Sequence, residues 1–281
     1  MELIATDISL SFGKRQILHN AAFRAKAGQV SVIVGPNGSG KTTLLRAMTG
    51  ELSHKGQVLI NGEDCAALRP VELAMRRAVL PQAAALSFPF TVLEVIRLGL
   101  TAGLATHDPK AQAELPLAAL ARVDLAGFEN RFYQDLSGGE KQRVQLARVL
   151  VQIWEPVLNG APRWLFLDEP ISALDIAHQL TVMRIARDFA DAGGGVVAVL
   201  HDLNLTAMFA DHVSLIEDGH IRANGPPGEV LTNAQLSAAY HCPLRINTAP
   251  PSGQIWLLPQ AVEPFTATPV AGMFSEKGTG L

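Results

Sequence analysis

Gly35-Pro36-Asn37-Gly38-Ser39-Gly40-Lys41-Thr42-Thr43 decides how the rest of this chain is read. The stretch fits G-x-x-x-x-G-K-[ST], and its flanks supply the context the pattern needs. The β-rich run Val30-Ser31-Val32-Ile33-Val34 leads in, and the helix-forming run Thr43-Leu44-Leu45-Arg46-Ala47-Met48 leads out. Glycines between a strand and a helix let successive backbone N–H groups point at phosphate oxygens, forming an anion nest. The helix adds the positive end of its dipole. Lys41 is placed to reach β- and γ-phosphates, and the Thr42 hydroxyl to ligate Mg²⁺.

Three further segments carry chemistry. Leu165-Phe166-Leu167-Asp168-Glu169-Pro170 sets two carboxylates at the end of an apolar run. In an open α/β sheet the site lies at the carboxyl ends of the strands, where Gly35 also falls. Asp168 is therefore placed to hold Mg²⁺ directly or through water, and Glu169 to orient or deprotonate an attacking water. Without the phosphate loop upstream, the pair would read as solvated carboxylates. Leu136-Ser137-Gly138-Gly139-Glu140-Lys141-Gln142-Arg143 is a second glycine loop opening a helix. Ser137 and Glu140 have capping-box spacing, so a well-capped helix and a second anion site are equal readings of these residues. His201-Asp202 follows the strand-like run Val196–Leu200, on the same rim as Asp168 and Gly35. Gln82 ends another strand-like run, where an amide could sense Mg²⁺ or the attacking water.

Bulk properties narrow the class. The chain has 281 residues, 48% of them hydrophobic, enough for a sizeable core. Lys and Arg total 23 against 26 Asp and Glu, which is not the basic field of a nucleic-acid binder. No run approaches 18 apolar residues, so no membrane-spanning helix is expected. The acidic start Met1-Glu2-Leu3-Ile4-Ala5-Thr6-Asp7 does not read as a secretory signal. Two cysteines, Cys65 and Cys242, lie far apart without metal-ligand spacing; a reducing compartment fits.

The order of elements predicts a fold. Residues 2–26 read as short strands broken near Gly13-Lys14-Arg15, and Val58–Glu63 as a strand with an Asn-Gly turn. Pro70–Arg77 reads as a helix with Pro at its first position. Residues 83–152 turn helical: Thr91 and Glu94 form a capping box, 109–122 is a helix, and another runs from Gly138 to Val151. Trp164–Leu167 lacks alternation, as in a strand covered on both faces. Residues 176–192 and 203–210 read as helices, and Val213–Glu217 with His220–Ala223 as a hairpin. Residues 153–162, with two prolines, read as a loop. The expected architecture is α/β: a P-loop NTPase core with an N-terminal antiparallel β subdomain and an inserted helical subdomain. In this reading the helical subdomain falls at about 83–152, and the Pro-, Gly- and Thr-rich tail at 259–281 is disordered.

In this order, the motifs resemble the ATP-binding subunit of ABC transporters over about residues 1–258. In that resemblance Gly35–Thr43 is the Walker A motif, Gln82 the Q-loop, Leu136–Glu140 the signature, Leu165–Glu169 Walker B, Ser172–Asp175 the D-loop and His201 the switch histidine. It implies ATP and Mg²⁺, the metal being held by Thr42, Gln82 and Asp168, with Glu169, His201 and Gln82 catalytic. It also implies two copies packed head to tail, each ATP lying between Walker A of one copy and Ser137, Gly138 and Gly139 of the other. Phe12 matches the aromatic position that stacks on adenine, commonly Tyr in the family; Phe keeps the ring. Ile171 departs from the usual Thr or Ser.

The segments Ser87–Gly99 and Leu200–Leu205 are similar to ATPases of bacterial importers for iron chelates, cobalamin and haem. The stretch from Ile153 to Arg163 resembles the haem importer subunit in particular. The resemblance implies peripheral attachment at the cytoplasmic face of the inner membrane. It implies a separate integral membrane permease docked near Phe88–Arg97 and, indirectly, a periplasmic substrate-binding protein. Iron–siderophore or cobalamin as cargo, and a soluble ABC ATPase of iron–sulfur cluster assembly, are the alternatives. DNA-repair and ribosome-acting ABC proteins need a coiled-coil insertion or tandem cassettes, which this chain lacks.

Overall fold

The computed structural model describes residues 1–82, 88–101, 109–250, 253–255 and 257–261. The expected start of the helical subdomain at 83–87, Ser87 included, and the tail from 262 onward lie outside the described residues. Pro259–Ala261 forms a single 3₁₀ turn.

Strands β1 (Glu2–Phe12) and β2 (Arg15–Lys26) pair antiparallel. They are two long strands of 11 and 12 residues, not several short ones. A register shift between Ala5 and Ile8 restores alternation across Thr6-Asp7, so Leu3, Ala5, Ile8 and Leu10 stay buried. Then come β3 (Val30–Val34), α1 (Lys41–Met48), β4 (Lys55–Ile60), β5 (Glu63–Asp64), α2 (Pro70–Arg76) and β6 (Arg77–Leu80). The Asn61-Gly62 turn joins β4 to β5 with both residues at positive φ, as a two-residue hairpin turn demands.

Helices α3 (Val92–Thr101), α4 (Pro109–Arg122) and α5 (Gly138–Gln152) follow. Thr91 begins α3 as expected: Glu94 N–H donates to Thr91 Oγ1, and Thr91 N–H donates to Glu94 Oε2 at 2.7 Å. Gly99 lets α3 lie directly on α5, since a Cβ there would overlap the Arg148 carbonyl.

Residues 153–162 are not an irregular loop. They hold β7 (Val157–Leu158) and β8 (Ala161–Pro162), a small hairpin turning at Asn159-Gly160, both at positive φ. Asn61 Nδ2 donates to Pro162 O at 2.8 Å, tying this hairpin to the β4–β5 turn. The two prolines hide the strand pattern, while the Asn-Gly pair is a hairpin signal.

The chain continues through β9 (Trp164–Asp168), α6 (Ile176–Asp191), β10 (Gly195–Val199), α7 (Leu203–Phe209), β11 (His212–Glu217), β12 (His220–Gly225), α8 (Pro227–Val230) and α9 (Asn233–Tyr240). The main sheet has the order β12-β11-β3-β10-β9-β6, parallel except for β12. A second, antiparallel sheet has the order β2-β1-β4-β5.

Central strands are buried on both faces, which explains their lack of alternation. Val30, Val32, Leu165, Leu167, Val196 and Ala198 join the core under the helical side. Ile33, Trp164, Phe166, Val197 and Val199 face α1 and the antiparallel sheet. Parallel register aligns Leu80 with Leu167, Asp168 with Val199, and Val199 with Ile33. The strands therefore end level, and the residues just after them share one rim. Among the described residues no helix is long and apolar enough to cross a membrane.

Candidate functional site

The loop after β3 is shaped by close approach. Gly35 has φ +151°, and a Cβ there would overlap the Ile216 carbonyl of β11. The loop is thus pressed against β11, and Gly219 N–H at the β11–β12 turn donates to Ser39 O at 2.9 Å. Lys41 folds back under it: its Nζ donates to Gly35 O at 3.0 Å and Pro36 O at 2.9 Å. Burial pulls the Lys41 ammonium below its usual pKa, opposed by the charges of Glu169 and Asp168. An anion in the loop would restore what burial takes from that charge.

A cavity of about 570 Å³ opens beside the loop. Asn37, Gly38, Gly40, Lys41, Thr42 and Thr43 line one side, Gln82, Glu169 and His201 another, and Phe12 the outer edge. Phe12 is 55% exposed, so its ring face is open to a ligand. Gly35, Ser39 and Asp168 are buried and, with half-buried Pro36, are not part of this lining. Arg15 and Ile17 of β2 also line the cavity and were not anticipated. Their only signal is nearness to Phe12 across the Gly13-Lys14 turn.

Glu169 sits at the centre of a polar triad. Gln82 Nε2 donates to Glu169 Oε2 at 2.8 Å, and His201 Nε2 donates to Oε1 at 2.6 Å. Both bonds orient one carboxylate, and the imidazole must carry its proton on Nε2 to make its bond. Asp168 is buried and accepts from Thr42 Oγ1 at 2.8 Å. Burial raises its pKa, while the Thr42 hydrogen bond acts against the rise.

Thr42 hydroxyl and Asp168 carboxylate are in contact, and Gln82 lines the same cavity as Thr42, so the three side chains offer oxygen donors. That chemistry suits a hard cation such as Mg²⁺, which needs substrate oxygens to complete its shell. Among the described residues no cluster of three or more His, Cys, Asp or Glu could hold a metal ion.

Ser137, Gly138 and Gly139 do not enter this cavity. They line a separate one of about 380 Å³ with Ala173, Leu174, Asp175 and His178. Ser137 caps α5: Glu140 N–H donates to Ser137 Oγ, and Ser137 N–H to Glu140 Oε2 at 2.7 Å. Its hydrogen bonds to Ser137 hold the Glu140 carboxyl below its usual range. The capped helix exists, therefore, and it also presents an open glycine turn to solvent. Ile171 is buried in the core.

Residues 18–172 match the family described as ABC transporter. The chain is 59% identical over 261 residues to the Hemin import ATP-binding protein HmuV of Roseobacter denitrificans, covering 93% of this chain and 98% of that protein. It is 54% identical over 257 residues to HmuV of Mesorhizobium japonicum, covering 92% and 98%. Among solved structures, it superposes on the ADP conformation of an ATP-binding cassette of an ABC transporter with TM-score 0.72 and 24% identity, covering 86% of this chain and 99% of that one. A bacterial Atm1-family ABC exporter with ATP bound gives TM-score 0.69 at 27% identity, over 82% of this chain and 39% of that longer one.

Proposed function

This chain belongs to the ABC transporter family, and from that premise we propose that it is the ATP-hydrolysing subunit of a bacterial importer for haem. The cargo rests on identity of 54–59% over nearly the full length of relatives named as hemin import ATP-binding proteins. The chemistry rests on one observation: the Glu169 carboxylate is held between Gln82 and His201 on the rim of the phosphate loop.

ATP binds with its adenine against Phe12 and its phosphates along the N–H groups of Gly35–Thr43. Lys41 leaves the loop carbonyls for the β- and γ-phosphates. Thr42, Asp168 and Gln82 would hold Mg²⁺, which when bound neutralises phosphate charge. Glu169 orients the attacking water and accepts its proton, a role worth about 10²–10⁴-fold in rate. His201 keeps that carboxylate aimed and supplies an N–H at the γ-phosphate.

Membership of the family implies two copies arranged head to tail, and the placement of Ser137–Gly139 in a different cavity from Lys41 and Glu169 fits that arrangement. ATP closes the pair, and hydrolysis with release reopens it. The subunit works at the cytoplasmic face of the inner membrane, on a separate permease served by a periplasmic binding protein. Phe88 is 69% exposed beside Phe90, at the edge of the helical side, where the permease would dock.

The test is reconstitution of the chain with its permease in vesicles. Haem with its binding protein should stimulate ATP hydrolysis, while cobalamin and ferric siderophores should not. Stimulation by one of those instead reassigns the cargo; purification without a permease favours the soluble iron–sulfur reading.

A further inference from the structure

Glu169 has an unusual backbone. Its φ is +50°, in the left-handed region that non-glycine residues seldom occupy. Such a conformation persists only when neighbours over-determine it. Its N–H donates to Val199 O at 3.2 Å, tying it to the sheet. Its carbonyl accepts from Ser172 Oγ at 3.2 Å and from Gln142 Nε2 at 3.0 Å. Ser172 is local, three residues away. Gln142 is not: it lies in the second turn of α5, the helix that Ser137 caps and Gly138 opens.

The Gln142 amide has one workable orientation. Its Oε1 is buried without a hydrogen-bond partner. Flipping the amide would set that oxygen against the Glu169 carbonyl, two acceptors face to face. The side chain therefore accepts an unsatisfied oxygen in order to donate to Glu169. Alongside it, a Cβ on Gly139 would come within 3.1 Å of Ala173 O, so the first turn of α5 is also in close contact with the segment following Glu169.

We propose that Gln142 is a positioning residue for Glu169, fixing the left-handed main chain that aims the carboxylate and tying it to the helix that carries Ser137–Gly139. The inference rests on Glu169 being the residue that handles the attacking water. In a head-to-tail pair, a chain's Ser137–Gly139 touch the nucleotide of its partner, while its Glu169 serves its own. Gln142 then joins the two sites through a single side chain: displacement of the first turn of α5 moves the Glu169 carbonyl.

The experiment compares Gln142→Met, near in shape but unable to donate, with Gln142→His, whose Nε2–H reaches about as far as the Gln amide. Each variant is assembled with its permease, and ATP binding, kcat, KM and the Hill coefficient for ATP are measured. Gln142→Met should lower kcat by about 10- to 100-fold, the scale of a misplaced catalytic group. ATP binding should stay within about twofold, and the Hill coefficient should fall toward one. Gln142→His should recover most of kcat. Ser172→Ala, which removes the local side-chain bond and leaves the Ser172 N–H on the same carbonyl, should leave the Hill coefficient unchanged. Wild-type kcat and Hill coefficient in Gln142→Met would overturn the proposal, as would a matching loss of ATP binding. If Glu169→Gln keeps normal turnover, the premise about Glu169 fails instead. Loss of turnover in Glu169→Gln with none in Gln142→Met sinks only the role of Gln142.

Discussion

Thr42 Oγ1 donates a 2.8 Å hydrogen bond to Asp168 Oδ1, joining the start of α1 to the end of β9 across 126 positions of sequence. The bond closes the floor of the nucleotide cavity. It also brings a carboxylate into a buried position with no Lys or Arg among the described residues in hydrogen-bond contact.

That arrangement makes stability depend on pH in a known direction. Burial raises the Asp168 pKa above its ordinary 3.8. The folded form thus holds the proton more tightly than the unfolded form. The stabilisation from protonation is fully present below the unfolded value and is lost as pH rises through the raised folded value. Asp168→Asn keeps an acceptor for Thr42 and never ionises. In nucleotide- and metal-free protein its melting temperature should exceed wild type at pH 8, and the gap should close toward pH 4. Thermal melts across that range check this; a constant gap would assign the effect to something other than ionisation. The same variant should lose most ATPase activity.

Lys41→Met should weaken ATP binding by about 10- to 100-fold, the scale of one lost charge-assisted contact or two. Its present partners are the carbonyls of Gly35 and Pro36, so the empty loop loses two hydrogen bonds as well. Isothermal titration with ATP measures the first effect. Unchanged affinity would remove the loop from the phosphate site.

Glu169→Gln should leave ATP binding intact while turnover drops by about 10²–10⁴-fold, since the amide cannot take the proton from water. A stable ATP-bound dimer should accumulate, visible as a doubled mass by light scattering. Near-normal turnover would exclude Glu169 as the base.

Features set by short-range chemistry are legible in this sequence. The Thr91–Glu94 and Ser137–Glu140 caps, the Asn61-Gly62 turn and the apolar run at Trp164–Asp168 all announce themselves within a few residues. The parallel sheet then follows, and with it the shared rim of Gly35, Gln82, Glu169 and His201. Contacts made between distant segments are not legible. Arg15 and Ile17 reach the cavity from another sheet, and Gln142 meets Glu169 only because α5 packs beside the end of β9. The β7–β8 hairpin was obscured for a different reason: Pro156 and Pro162 suppress the strand signal, although Asn159-Gly160 carries the turn.

That hairpin yields the last prediction, one about stability alone. Asn61 uses both ends of its amide: Nδ2 donates to Pro162 O at 2.8 Å, and Oδ1 accepts from Trp164 Nε1 at 3.1 Å. Trp164 is fully buried, so removing the acceptor leaves its indole N–H without a partner. An orphaned buried donor costs about 1–3 kcal/mol. Asn61→Gly keeps the positive φ and should lose about that much stability. Asn61→Ala adds the left-handed penalty for a Cβ, roughly another 1 kcal/mol. Urea unfolding should therefore rank wild type above Gly and Gly above Ala. The site residues lie at the opposite ends of the strands, so kcat of the folded protein should stay within about twofold of wild type. Equal stability of Gly and Ala would mean that the turn tolerates a Cβ; equal stability of wild type and Gly would mean that the Asn61 amide does not hold the hairpin to the sheet.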